Sequence, residues 1–155
     1  MGDGELRFIA DSMLGRLATW LRILGYDTLY FRDADDGRLV TLARREERIL
    51  LTRDTRLLAR RRLGPVLFIR HDRVWDQLRQ VAGAFALRMG PQLGSRCLRC
   101  NRRLALLAKA CAAGRVPEYV YRHHDAFFHC EGCGRIFWGG THLSHMEETV
   151  RALCG

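Results

Sequence analysis

The chain has 155 residues, of which 48% are hydrophobic and 28% charged, a mix that suits a soluble globular protein of one ordinary domain or of a small domain with a metal-stapled module. No stretch reaches the roughly 18 uninterrupted apolar residues of a membrane span, and the N-terminus lacks the basic start and apolar run of a signal peptide, so we expect a cytoplasmic protein with no membrane partner. The net charge of +9 comes almost entirely from arginine, which favours nucleic acid as a partner; a codon bias toward arginine is the alternative.

Two hydrophobic periods alternate along the first ninety residues. Short apolar runs predict strands over 6–10, 28–31, 49–52 and 66–69. Segments with helical periodicity predict helices over 12–24, 37–47, 55–62 and 74–87, the first of which ends at Gly25. Strands separated by single helices run parallel, with helices on both faces of the sheet. The pattern therefore predicts an α/β domain with a parallel sheet.

The composition changes at residues 89–95, which contain glycine and proline and are typical of a linker. We therefore divide the chain into a first domain over 1–93 and a second module over 94–155. The second module contains a pair of C-x-x-C motifs and ends in a predicted short helix over 141–153.

The two C-x-x-C motifs predict a structural zinc site. They supply Cys97, Cys100, Cys130 and Cys133, with 29 residues between the pairs. Four thiolates complete a tetrahedron and leave no open position for chemistry. This gap is longer than the about 15–20 residues usual between such pairs, so we expect a loop or short helix inserted near 104–113.

Other residues near these motifs are alternative ligands of lower rank. His123, His124 and His129 lie near the second motif, but four better-spaced thiols exist, so we interpret the histidines as surface or supporting residues. Cys111 and Cys154 lie outside the pattern and are expected to be small buried apolar groups.

Aspartates follow every predicted strand. Asp11 follows the first and Asp54 closes the third, and further acids follow the second and fourth, namely Asp33, Asp35, Asp36 and Asp72. The carboxyl ends of parallel strands share the edge where open sheets bind ligands, so Asp11, Asp54 and one of Asp33 or Asp36 could converge. Aspartate is also a favoured helix N-cap, and capping alone could explain each residue. If the carboxylates do crowd together, a divalent cation relieves their repulsion, and oxygen ligands favour Mg²⁺ or Mn²⁺.

The chain resembles the Mut-seven C-terminal RNase domain family, a branch of the PIN-like nucleases. The matching segments are FIADSMLGRLA at 8–18, LRILGYDT at 21–28, LLTRD at 50–54 and CEGCGRIFWGGTH at 130–142. The resemblance implies a PIN-like three-layer α/β/α fold with a parallel sheet, followed by a small zinc ribbon. It also implies metal-dependent RNase activity, with one or two catalytic ions.

The resemblance carries the acidic positions over to Asp11, Asp36 and Asp54, with Asp33 as a further candidate and Asp72 after it. Arg22 and Arg53 fall within the matched segments and either contact phosphate or pair with the aspartates. Trp138 and His142 also fall within them, either as RNA contacts or, as we favour, as a packing tryptophan and a helix-start histidine.

We predict a Mg²⁺- or Mn²⁺-dependent ribonuclease, endonucleolytic in mode, with a structural zinc and an RNA substrate. Its RNA contacts would be arginines, namely Arg22, Arg53, Arg56, Arg60, Arg61 and Arg62. The alternative is a non-catalytic RNA- or ribosome-binding zinc-ribbon protein in which the aspartates only cap helices. A phosphoreceiver domain is disfavoured because it needs a lysine near the aspartates, and Lys109 lies in the cysteine module.

Overall fold

Strands and helices alternate through the first part of the chain, as predicted. The computed structural model describes residues 4–88, 92–139 and 147–152. The elements in order are β1 (Arg7–Ala10), α1 (Gly15–Ile23), β2 (Asp27–Tyr30), α2 (Asp36–Arg45), β3 (Ile49–Thr52), α3 (Thr55–Leu58), β4 (Val66–Phe68) and α4 (Val74–Phe85). A single 3-10 turn, Ser12–Leu14, precedes α1.

The third helix is shorter than predicted. It ends at Leu58, with the N–H of Arg60 bonded to the carbonyl of Leu57 in a tight turn. Three consecutive arginines follow it in the sequence, Arg60, Arg61 and Arg62, and all three are exposed. They contribute no apolar face to hold a further helical turn against the sheet, and in proteins such packing supplies most of a helix's stability.

The four strands form one parallel sheet in the order β2-β1-β3-β4. Side chains of β1 alternate between its faces: Phe8 and Ala10 join the core beneath α1 and α4, and Ile9 joins the core beneath α2 and α3. Helices therefore cover both faces of the sheet, and the predicted three-layer α/β/α architecture is confirmed.

The cysteine module has its own small antiparallel sheet in the order β5-β6-β7. Its elements are β5 (Ala105–Leu107), α5 (Lys109–Ala112), α6 (Glu118–His123), β6 (Phe127–His129) and β7 (Ile136–Trp138). Phe127, Ala112 and Val120 form its core. Two strands and two short helices thus lie between the C-x-x-C motifs, and β5 and α5 form the part near 104–113 where an insertion was predicted. Residues 147–152 are helical, and the rest of the helix predicted over 141–153 lies outside the described residues.

The module docks at the amino-terminal end of β2. Arg22, near the end of α1, is buried and donates from its guanidinium to the carbonyls of Leu98 (2.8 Å) and Arg99 (3.3 Å). The Oδ1 of Asn101 accepts the backbone N–H of Thr28 at 2.9 Å. Because β2 is an edge strand, Asn101 supplies a partner that no neighbouring strand provides. The module therefore sits at the end of the sheet opposite to the carboxyl ends of the strands.

The chain approaches α1 closely just before the first cysteine. Gly25 has a φ of +91°, and a Cβ built there would lie 2.3 Å from the carbonyl oxygen of Gln92. The N–H of Gly94 donates to the carbonyl of Ile23 at 2.8 Å. Gly25 thus ends the helix, as predicted, and also leaves room for the chain that leads into the module. Within the part of the chain that the structure describes, no helix is long and apolar enough to cross a membrane.

Candidate functional site

The four paired cysteines lie together, as predicted. The sulfur atoms of Cys97, Cys100, Cys130 and Cys133 are all within 4.8 Å of one another. The Sγ atoms of Cys97 and Cys133 are 3.7 Å apart. Two sulfurs bound tetrahedrally to one zinc at about 2.3 Å would be separated by about 3.8 Å. The donor set and its spacing therefore fit a zinc ion with no open coordination position.

The two halves of this centre fold alike. The N–H of Asn101 donates to the carbonyl of Cys97 and the N–H of Gly134 to that of Cys130, both at 2.8 Å. Asn101 and Gly134 both have positive φ, 66° and 73°, a conformation that glycine and asparagine adopt most readily. Each motif thus forms the same tight knuckle, and each knuckle is closed by a residue, Asn101 or Gly134, that readily adopts the left-handed conformation.

The thiols of the centre differ in acidity before metal binds. A backbone hydrogen bond from Arg135 lowers the pKa of Cys133 to about 7, whereas desolvation and the neighbouring thiols raise the pKa of Cys100 to about 12. A cation that binds all four sulfurs as thiolates therefore displaces protons, which makes its affinity depend on pH.

In the described part of the chain, the other histidines and cysteines are separate from this centre. Among the described residues, the four cysteines are the only group of three or more potential ligands close enough for one ion, and His123 instead contacts the carbonyl of Tyr119. The expectation that Cys111 is buried is wrong, because this residue is exposed at α5. Cys154 and His142 lie outside the described residues.

Asp11 directly follows β1, one of the two inner strands of the sheet, and its side chain is buried. Its Oδ1 accepts the N–H of Met13 at 2.9 Å, which caps the 3-10 turn. Its Oδ2 accepts the hydroxyl of Thr52 at 2.6 Å and the backbone N–H of Arg53 at 2.9 Å. Capping therefore uses only one of its two oxygens, and the other is directed to the end of the neighbouring strand β3.

Thr52 connects Asp11 to Asp54. While its hydroxyl donates to Asp11, the same oxygen accepts the backbone N–H of Asp54 at 2.9 Å. The strand order reverses between β1 and β3, and this switch point is where open α/β sheets bind ligands. The two aspartates thus leave adjacent strands at the position in the fold where a ligand site is expected.

Asp54 is paired with Arg56. Its Oδ1 accepts the backbone N–H of Arg56 at 2.9 Å, so it caps α3. The guanidinium of Arg56, which is exposed, lies 3.4 Å from the carboxylate. Hydrogen bonds from this side chain and backbone lower the pKa of Asp54 below its ordinary value. Asp54 is therefore ionised at neutral pH.

The acids that follow β2 are more dispersed. Asp35 caps α2 by accepting the N–H of Arg38 at 2.8 Å. Asp36 lies in the first turn of α2, is half-buried, and contributes to raising the pKa of Arg56, so its charge lies near that guanidinium. Asp33 is exposed.

The acidic residues do not form a closed cage of three carboxylates. Among the described residues, Asp11, Asp36 and Asp54 are not a set with ligand atoms within 4.8 Å of one another. Mg²⁺ usually keeps several waters and binds proteins through only one or two carboxylates together with substrate phosphates. The oxygen-only donors of Asp11 and Asp54 fit that mode of binding.

The predicted RNA-binding arginines divide into two groups. Arg22 is buried between α1 and the first knuckle, and Arg53 donates to Asp72 and to the carbonyl of His71. Both guanidinium groups therefore hold the fold together. The others are exposed near α3, namely Arg56, Arg60, Arg61 and Arg62.

Sequence reasoning missed Thr52 and Asn101. Thr52 is the one polar residue of β3, whose four residues are all buried, and a buried hydroxyl requires a partner. Asn101 directly follows the first C-x-x-C motif, at the position that Gly134 occupies in the second. These two signals were available from the sequence.

Comparison with known proteins identifies one family. The family model described as Mut7-C RNAse domain matches residues 6–150. No curated protein matches the chain, and no solved structure does. The match spans the cysteine module and the parallel sheet. It includes the end of the sheet where Asp11, Asp36 and Asp54 follow the strands, which we call the acidic edge.

Proposed function

The chain belongs to the Mut7-C RNAse domain family, and on that premise we propose that it is a Mg²⁺- or Mn²⁺-dependent ribonuclease that cleaves phosphodiester bonds within RNA. The observation that carries the proposal is the shared hydroxyl of Thr52, which links Asp11 and Asp54 at the switch point of the sheet. Capping accounts for the Oδ1 of Asp11 but not for its Oδ2, which accepts the hydroxyl of Thr52 and the N–H of Arg53.

In this proposal Asp11 and Asp54 are the main ligands of the catalytic ion. When bound, the ion would polarise the phosphoryl group and lower the pKa of a bound water. Asp11 is held in position by the hydroxyl of Thr52 and the N–H of Arg53, so its free lone pairs have a fixed direction. Asp36, which comes after β2 on the other side of β1, would complete the acidic edge, with the exposed Asp33 as a further acid.

Arg56 balances the charge of the acidic edge when no cation is present. Its guanidinium pairs with Asp54 and is attracted by Asp36. Arg56 is exposed, so it can turn toward a phosphate when a cation takes its place beside Asp54. Arg60 and Arg61 follow on the same surface segment, where they would attract the RNA backbone.

A second candidate function is RNA binding without cleavage, for example as a ribosome-associated module. The observation that favours it is that Asp11, Asp35 and Asp54 each accept a backbone N–H at the start of a helix. In this case the acids stabilise helices, and the arginines alone bind RNA.

The two functions are separated by replacing Asp11 and Asp54 with asparagine. Asparagine caps helices about as well as aspartate, so the double variant can keep the caps while it loses the charged metal ligands. At position 11 the amide nitrogen replaces the oxygen that accepts from Thr52 and Arg53, which is why folding is measured as well. We expect RNA cleavage in the presence of Mn²⁺ or Mg²⁺ to fall at least about 100-fold, because both proposed ligands lose their charge. Asp125→Asn, an exposed change in the cysteine module, serves as the control.

Unchanged cleavage by the Asp11→Asn/Asp54→Asn variant would contradict the proposal. RNA binding by the wild-type protein without cleavage across Mg²⁺, Mn²⁺, Co²⁺ and Zn²⁺ would favour the second function instead. Each protein is checked first for its zinc content and its thermal unfolding midpoint, so that a folding defect is not mistaken for a lost ligand.

A further inference from the structure

A largely apolar pocket lies between the cysteine module and the end of α1, and the acidic edge does not use it. Its volume is about 390 Å³, within the about 300–1,000 Å³ common for small-molecule sites. Seven of its lining residues have large apolar side chains, namely Ile23, Leu93, Leu98, Leu104, Phe128, Phe137 and Trp138. The pocket thus combines one helix end of the α/β domain with the aromatic strands of the module.

Aromatic side chains of the module are left accessible at this pocket. Phe128 and Phe137 are paired across β6 and β7, so they share one face of the small sheet. Phe128 is 36% exposed. Trp138 pairs with Phe127 on the other face of the sheet, also lines the pocket and is 37% exposed. Aromatic residues that line a pocket and remain accessible can accept a flat ring, because such rings prefer stacked or edge-on contacts.

The charge around the pocket favours a polyanion. Between residues 92 and 139 the sequence has eight basic and three acidic side chains. Arg99 is exposed and directly follows the lining residue Leu98. Arg103, which precedes the lining residue Leu104, is also exposed and pairs with Glu5 at 2.7 Å. An aromatic pocket beside exposed arginines is the combination with which proteins bind single-stranded nucleic acid, stacking the bases and attracting the backbone.

The pocket and the acidic edge lie at opposite ends of the parallel sheet. The pocket lies at the amino-terminal end of the strands, where α1 ends at Ile23 and the module contacts Thr28. Asp11 and Asp54 instead follow the carboxyl ends of β1 and β3. Strands of four residues at about 3.3 Å per residue separate the two sites by about 13 Å. A single RNA chain that reaches both must therefore extend along the sheet.

We propose that this pocket binds one unpaired base of the RNA, several nucleotides away from the bond that is cleaved. The inference rests on the proposed function for its substrate class, but not on cleavage itself. It assigns the module a role in selecting single-stranded RNA, because a base within a duplex is not free to enter the pocket.

Binding of RNA to the zinc-loaded protein tests this inference. Fluorescence anisotropy is measured with a short unstructured RNA and with the same strand in a duplex, without added Mg²⁺ or Mn²⁺. We expect Trp138→Ala to weaken binding of the single strand by about 5- to 150-fold, the range for loss of one base stack, with little change for the duplex. Trp138→Phe restores most of the affinity, and Tyr119→Ala, at a more exposed aromatic residue on α6, has no effect.

The length of the substrate provides a second readout. If the protein cleaves RNA, Trp138→Ala should raise the KM for long single strands and leave kcat unchanged, and it should have no effect on a dinucleotide, which reaches only one site. An equal loss of affinity for single strand and duplex, or no loss in a folded and zinc-loaded Trp138→Ala protein, would overturn the inference. So would a stable dimer that Phe128→Asp dissociates, since a second copy would then occupy the pocket.

The two proposals can fail separately. Absence of cleavage with a binding loss specific to single strands would remove the nuclease proposal and keep the base pocket. Cleavage that depends on Asp11 together with unchanged single-strand binding by Trp138→Ala would keep the nuclease and remove the pocket.

Discussion

At the scale of single residues, Thr52 organises the acidic edge. It is fully buried at the end of β3, and its hydroxyl both donates to Asp11 and accepts from the backbone of Asp54. A buried carboxylate that loses a hydrogen-bond donor incurs the cost of its own desolvation. This hydroxyl therefore holds Asp11 in position together with the N–H groups of Met13 and Arg53.

We predict that Thr52→Val lowers the free energy of unfolding by about 1–3 kcal/mol and reduces RNA cleavage, because the valine keeps the shape of the side chain but cannot donate. Urea unfolding and a cleavage assay measure the two effects. Thr52→Ser, which retains the hydroxyl, is the matched control. Wild-type stability and activity in Thr52→Val would show that the link has no role.

Asp27 is a second aspartate whose carboxylate is held by neighbouring side chains. Arg48, which is buried, binds both oxygens of Asp27, and Asn101 donates to Oδ1 at 2.6 Å. Burial alone would raise the pKa of Asp27, but the hydrogen bonds from Arg48 and Asn101 outweigh it and leave the pKa below its ordinary value of 3.8.

Asp27 should therefore make the stability of the protein depend on pH. A carboxyl group with a lowered pKa in the folded state stabilises it above pH 3.8, and this stabilisation is lost as the pH falls through the lowered pKa. We expect Asp27→Asn to lose about 1–3 kcal/mol at neutral pH and to approach the wild type in acid. Denaturant unfolding from neutral pH downward measures the difference, and a difference that stays constant with pH would contradict the assignment.

At the scale of elements, the cysteine module completes the edge of the parallel sheet. The N–H of Thr28 in β2 is bonded to Asn101, which lies in the first knuckle. Arg22 of α1 donates to carbonyls of the same knuckle. The first knuckle of the four-cysteine centre therefore contacts both β2 and α1, through the side chains of Asn101 and Arg22.

Removal of zinc should loosen β2 before it loosens β3. We expect one zinc ion per chain and, after chelation, faster hydrogen exchange in residues 97–138 and at Thr28, because the knuckle that carries Asn101 needs the metal to fold. Exchange in β3, which is buried in the middle of the sheet, should change little. Unchanged protection of Thr28 in the zinc-free protein would show that the docking does not depend on the metal.

The elements show which patterns the sequence reveals. The bounds of β3 agree with the prediction because all four residues are buried, so the apolar run coincides with the strand. The helix predicted over 55–62 ends at Leu58. The charged residues after Leu58 do not indicate where the helix stops packing against the sheet. The position of the module could not be predicted, since it docks through backbone carbonyls and Asn101, which follow no hydrophobic period.

The acidic edge was predictable in part. Parallel strands bring Asp11 and Asp54 to one end of the sheet, and this follows from the alternation of elements. That Arg22 is buried and Arg56 pairs with Asp54 did not follow, because the sequence gives the charge of an arginine and not the partner of its guanidinium.

At the scale of the whole molecule, the net charge of +9 should govern the affinity for RNA. The exposed arginines after α3, Arg60, Arg61 and Arg62, are candidates for phosphate contacts. Each contact with a single strand contributes about 0.7 to the slope of log affinity against log salt concentration.

We therefore predict that Arg60→Gln/Arg61→Gln/Arg62→Gln weakens RNA binding and reduces this slope by up to about 2. Anisotropy titrations over a series of salt concentrations measure it. Arg122→Gln, whose guanidinium pairs with Glu118 in the module, should leave the slope unchanged. An unaltered slope in the triple variant would place the phosphate contacts elsewhere.

The proposed ribonuclease activity requires that the acidic edge binds a divalent cation. A crystal soaked in Mn²⁺ and measured at the manganese absorption edge tests it most directly. We predict an anomalous peak coordinated by the carboxylates of Asp11 and Asp54, with the guanidinium of Arg56 displaced from Asp54. A saturating soak with no peak at this edge, and with each aspartate still bonded to its helix N–H and Arg56 still on Asp54, would contradict the claim.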